Sequence, residues 1–94
     1  MIKFEWDTKK ASANKKKHGV SFLEAESVFA DPHARLIQDP DHSEDEERFV
    51  LLGMSAELRI LVVCHCFKES VEVIRIISVR KANKSERNEY GRQL

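Results

Sequence analysis

Two guanidinium groups flanking an imidazole form a set of side chains suited to a phosphodiester. Arginine meets phosphate with two parallel hydrogen bonds and stabilises the charge that grows on the non-bridging oxygens. Neighbouring positive charge lowers a histidine pKa and leaves the ring neutral, able to take a proton. Arg48, His65 and Arg75 supply such a set in this chain, if the strands that carry them pair in one particular register. RNA brings its own nucleophile, the 2′-hydroxyl, so a base, an acid and a cationic clamp can cleave it with no metal. The same residues also have a purely structural use. Arg48 and Arg75 can pair with Glu47, Glu69 or Glu72, and His65 can be a satisfied edge histidine.

The elements that would position them follow from periodicity and punctuation. Ile2 to Trp6 reads as a short strand. Thr8 to His18 reads as a helix that starts near Asp7 and is closed by Gly19. Ser21 with Glu24 fits a capping box, which opens a second helix from Phe22 to Ala30, before Asp31-Pro32. Ala34 to Gln38 is a weak strand, and Asp39 to Asp45 is an acidic loop punctuated by Pro40. Three stronger strands follow, over Glu47 to Met54, Arg59 to Cys66 and Val71 to Arg80. Asn83 with Glu86 opens a last helix that ends near Tyr90-Gly91. Helices, an antiparallel meander and a final helix make an α+β domain over residues 1–94.

A hairpin turn centred on Ala56-Glu57 puts Arg48 opposite His65, Val50 opposite Val63 and Leu52 opposite Leu61. A second turn near Ser70 puts His65 opposite Arg75, Val63 opposite Ile77 and Leu61 opposite Val79. Alternation then sets these three columns on one face, aliphatic except for Arg48, His65 and Arg75 at its end. A slip of one residue would scatter the three, and neither turn carries the Asn-Gly signal that fixes register. Arg75 and Arg80 fall on opposite faces of a regular strand, and both can contribute only if the strand ends or bulges before Arg80.

Composition bounds the remaining possibilities. At 41% hydrophobic and 34% charged, the 94 residues suit one small globular domain rather than a disordered or fibrous chain. No apolar run approaches the roughly 18 residues of a membrane span, and the first residues are no signal peptide. Cys64 and Cys66 stand too far apart along a strand for an easy disulfide, which favours a reducing cytoplasm. Net charge is zero but sorted: lysines load the N-terminal part, acids the central loop, and arginine and lysine the C-terminal part. Such blocks can serve an anionic and a cationic partner, or simply pair and be solvated.

Other constellations are less specific. The oxygens of Asp39 to Glu44 lack the spacing and glycine of a calcium loop. Cys64-His65-Cys66 has no second Cys/His pair at zinc-ribbon spacing, so no metal or other cofactor is expected. The Lys15-Lys16-Lys17-His18 run can touch phosphates or be a solvated face. Tyr90 can stack on a base or fill the core.

The chain resembles the BrnT family of bacterial toxins. Its first half does so through Trp6-Asp7-Thr8-Lys9-Lys10, Asn14, Lys17 to Phe22, Ala25, Phe29 and Asp31. Its second half does so through Glu47-Arg48-Phe49, Gly53, Arg75-Ile76-Ile77-Ser78, Arg80-Lys81-Ala82, Glu86-Arg87 and Tyr90. Thr8 departs from the proline that the family often has at the start of the first helix, which affects helix entry rather than chemistry. The resemblance implies a RelE-like fold, with helices packed on a twisted antiparallel sheet. It implies a ribonuclease toxin that blocks translation by cutting mRNA. It also implies a cognate ribbon-helix-helix antitoxin, through which the pair would bind operator DNA.

The expected roles are therefore as follows. Arg48 and Arg75 clamp phosphate, His65 is base or acid, and Arg80 contacts substrate or transition state. Glu47 is a base or orients an arginine, and Lys10, Lys17, Lys81 and Tyr90 touch RNA. A second reading makes the chain a non-catalytic module that binds a partner protein and tunes its DNA binding.

Overall fold

The computed structural model describes residues 2–37, 48–68, 72–92 and 94. Its elements in chain order are β1 (Lys3–Glu5), α1 (Thr8–His18), α2 (Phe22–Val28), β2 (Arg35–Ile37), β3 (Phe49–Met54), β4 (Ile60–Lys68), β5 (Val73–Lys81) and α3 (Lys84–Gly91). Five strands form one sheet in the order β1-β5-β4-β3-β2. The architecture is the expected α+β one. The sheet is mixed rather than purely antiparallel, because β1 lies parallel to β5 at one edge. Among the described residues, no helix is long and apolar enough to cross a membrane.

Local chemistry sets the helix ends. The Asp7 carboxylate accepts from the Lys9 and Lys10 amides and starts α1. Gly19, at φ 70°, closes it in the left-handed conformation that favours glycine. Ser21 accepts from the Glu24 amide and starts α2. That capping box is only half made, because the Glu24 side chain crosses to Ser55 and Arg59 instead of returning to Ser21. The helix stops at Val28, two residues before Ala30, where the Ala30 and Asp31 amides tighten onto three-residue turns. Asn83 and Glu86 make the full reciprocal box of α3.

The sheet buries both faces, unequally. On one side α1 and α2 cover Leu51, Leu61, Val63, Ile76 and Val79, with Val20, Phe22, Ala25 and Val28 filling the gap. Gly53 belongs to this side, where a Cβ would stand 2.8 Å from both Ala34 Cβ and Val28 Cγ1. On the other side α3 brings Tyr90 and Ala82 onto Val50, Leu52 and Val62. The α3 cluster includes none of the side chains at the opposite end of that face, among them Cys66 and Arg75.

Asn14 explains how a three-residue edge strand suffices. Strand β1 pairs with β5 only at Val73, Ile74 and Arg75. Farther along β5, the buried Asn14 side chain accepts from the Val79 amide (3.1 Å) and donates to the Val79 carbonyl (2.9 Å). These are the two bonds a longer strand would have made. Its amide also donates to Val20 O.

Both expected hairpin registers need correction. Phe49, not Arg48, lies opposite His65, and Val50 lies opposite Cys64. The cause is the turn. Leu58 N donates to Ser55 O and Ser55 N to Arg59 O, with Leu58 at φ 62°. That is a three-residue loop with a left-handed third residue, one residue longer than the loop centred on Ala56-Glu57. In the second hairpin Val63 pairs with Val79 and Cys64 with Ser78, but His65 pairs with Ile76 and Cys66 with Arg75. Ile77 is therefore an extra residue on β5, a bulge in the ladder.

Candidate active site

The register shift moves His65 to the opposite side of the sheet from the arginines. On β4, Leu61 and Val63 face α1 and α2, and His65 follows them by alternation. It is 1% exposed, with ring centroids of Phe29, Phe67 and Phe49 at 4.8, 5.7 and 6.1 Å. Its Nδ1 donates to the Val63 carbonyl at 3.2 Å. Burial lowers its pKa, so the ring is neutral. The sheet lies between it and Arg75, and the expected Arg48–His65–Arg75 cluster does not form.

Two of the arginines, Arg75 and Arg80, do come to one face. Cys66 points away from His65, and its register partner Arg75 shares its face. Arg48 immediately precedes Phe49, the first residue of β3, whose ring meets His65 on the helix side. Cys66 and Arg75 are thus paired across β4 and β5, while Arg48 lies just outside the start of β3. The bulge at Ile77 restores parity farther along β5, where Arg80 pairs with Val62 on this same face. Arg75 and Arg80, on opposite faces of a regular strand, are brought to one face by that single extra residue.

Arg75 and Arg80 are each oriented by a neighbour. Arg75 Nη1 donates to Glu5 Oε2 at 2.8 Å, and Lys68 Nζ stands 3.4 Å from the same oxygen. Arg75 and Lys68 hold the Glu5 carboxyl below its usual range, against the opposing effect of burial. Glu86 takes Arg80 with both oxygens, Nη1 at 2.7 Å and Nη2 at 2.9 Å, while also closing the α3 capping box. The Arg80 hydrogen bonds lower the Glu86 pKa. Arg80 therefore joins β5 to α3 as well as adding charge to the face.

The remaining expected residues lie elsewhere. Lys10 is exposed in the first turn of α1, where its amide donates to the Asp7 carboxylate. Lys17 is exposed near the other end of the helix, about 10 Å further along. Lys81 is exposed but pairs with Leu61, on the helix side. Tyr90 is 2% exposed under α3, and its hydroxyl donates to Asp31 at 2.7 Å. Burial and that carboxylate push its pKa up to about 12. A ring enclosed in this way offers no face for a base to stack on, so the expected base-stacking role is replaced by a structural one. Glu47 and the acidic Asp39–Asp45 loop lie outside the described residues. Among the described residues no three His, Cys, Asp or Glu side chains gather to hold a metal.

Sequence reasoning missed Glu5 and Lys68. Glu5 was unreadable as a site residue because a short N-terminal strand gives no sign that it pairs parallel to the last one.

The family described as "Ribonuclease toxin, BrnT, of type II toxin-antitoxin system" matches residues 6–86 of the chain. Among solved structures, the crystal structure of the Brucella abortus ribonuclease toxin, BrnT, is similar, with a TM-score of 0.67 and 24% identity. The likeness covers 89% of this chain and 100% of that one, and at this identity it speaks for the fold alone. A comparison with curated proteins found no match.

Proposed function

The chain belongs to the BrnT family of ribonuclease toxins of type II toxin-antitoxin systems, and from that premise we propose that it cleaves mRNA without a metal and so inhibits translation. The observation that carries this reading is that Arg75 and Arg80 share one face of the sheet, with Lys68 beside Arg75 on Glu5. Guanidinium groups gathered on a face that α3 covers only at one end suit the phosphates of a single strand.

In this reading Arg48 and Arg75 hold the scissile phosphate and stabilise the charge of the pentacoordinate transition state. Arg80 and Lys10 extend the positive surface to neighbouring phosphates. The RNA 2′-hydroxyl attacks the adjacent phosphorus and the bond to the 5′-oxygen breaks. The products are a 2′,3′-cyclic phosphate and a 5′-hydroxyl. Because the nucleophile belongs to the substrate, the reaction needs positioned charge and proton transfer but no metal-bound water.

The family implies an antitoxin partner. A ribbon-helix-helix antitoxin that carries the pair to operator DNA, in the cytoplasm, completes the proposal. Expression of the chain alone tests it against the reading as a non-catalytic binding module. Growth arrest with fragmented RNA supports the nuclease. Tight partner binding without arrest or fragmentation would favour the module.

A further inference from the structure

With His65 on the far side of the sheet, the arginine face needs another group to take the 2′-hydroxyl proton. Among the described residues, Glu5 touches Arg75 and Glu86 touches Arg80. Glu86 is committed, with Oε1 held by Arg80 and the Asn83 amide and Oε2 held by Arg80 again. Glu5 is different. Its Oε2 takes both Arg75 and Lys68, while Oε1 has no partner among the described residues. Its side chain is 38% exposed. Arg75 has complementary spare capacity, since Nη1 serves Glu5 while Nε and Nη2 have no partner among the described residues. One guanidinium can therefore hold Glu5 along one edge and a phosphate along the other.

We propose that Glu5 is the general base of this site, an assignment that rests on the ribonuclease reading above. The 2′-O–H bond breaks and its proton passes to Glu5 Oε1. The 2′-oxygen forms its bond to phosphorus, the bond from phosphorus to the 5′-oxygen breaks, and the leaving oxygen takes a proton from water. Arg75 links the two events by fixing base and phosphate in one plane. Among the described residues the charged groups that act on Glu5 are Arg75 from β5 and Lys68 from β4. The cations dominate and keep the carboxylate ionised at neutral pH, ready to accept a proton.

The test uses the purified full chain, an RNA oligonucleotide, and the same oligonucleotide with 2′-deoxyribose at the scissile site as an uncleavable ligand. Glu5→Gln is expected to bind the uncleavable strand within about twofold of the parent and to lose on the order of 10²–10⁴ in single-turnover rate. The acid limb of the parent pH–rate profile should vanish with it. Glu5→Asp, which keeps a carboxylate, should retain more activity than Glu5→Gln. Parental rate and pH profile in Glu5→Gln, or equal losses in the two variants, would overturn the assignment and leave the nuclease reading standing. Loss of binding in parallel with rate would also overturn it, making Glu5 a positioning residue for Arg75. A parent chain that cuts no RNA sinks the nuclease reading itself.

Discussion

Replacing Glu24 with glutamine should remove a large part of the stability of this fold, and the size follows from its surroundings. The Glu24 side chain is 4% exposed. It accepts from Ser55 Oγ at 2.7 Å and from Arg59 Nε at 2.9 Å, and its second oxygen pairs with Arg59 Nη2. These contacts tie α2 to the turn between β3 and β4. The Arg59 hydrogen bonds, helped by Ser55 and opposed by burial, depress the Glu24 pKa to about 2. An ordinary glutamate titrates near 4.3, so the shift is about two units, or roughly 3 kcal/mol at neutral pH. Arg59 keeps a third of its side chain in water, which makes that an upper figure. Because the folded pKa is depressed, this stability is fully present above the unfolded value. It is lost as pH falls from about 4.3 towards 2. Urea denaturation of the parent and Glu24→Gln at neutral pH should show a midpoint lower by roughly 2 M in the variant. Near pH 2.5 the gap should have largely closed. A gap of the same size at both pH values, or none at neutral pH, would refute the assignment of this stability to the ionised pair.

Two other substitutions test how the sheet is built. Asn14→Ala strands the amide and carbonyl of Val79 at the edge of β5. It should cost about 2–3 kcal/mol, read as a lower urea midpoint with an unchanged slope. Leu58 is 78% exposed and sits at φ 62°. Leu58→Asn relieves the left-handed strain without losing packing and should add roughly 0.5–1 kcal/mol, raising Tm by a few degrees. A lower Tm would contradict the loop geometry on which the corrected register depends.

Local signals in the sequence were more reliable than long-range ones. Asp7, Gly19, Ser21 and the Asn83–Glu86 box mark helix ends by hydrogen bonds within a turn, and the structure has those ends. Register depends instead on loop conformation. A leucine in the left-handed region is a choice that residue type argues against, so the extra residue at Leu58 was hidden. The bulge was hidden because Ile76 and Ile77 are both apolar, and alternation says nothing where both faces accept isoleucine. These two shifts exchanged His65 for Cys66 in the arginine row. Arg75 therefore shares its face with Arg80 and not with His65. Glu24 shows the same limit, since its spacing from Ser21 predicts a local cap while its carboxylate is used across the fold.

The central claim is that this arginine face cuts RNA unaided. The most direct measurement is cleavage of a defined RNA by the purified chain in EDTA, with analysis of the new ends and Arg75→Ala as control. Cutting in EDTA that leaves 2′,3′-cyclic phosphate and 5′-hydroxyl ends is expected. A folded Arg75→Ala is also expected to lose on the order of 10²–10³ in rate. Strict dependence on magnesium, or full activity in Arg75→Ala, would contradict the claim.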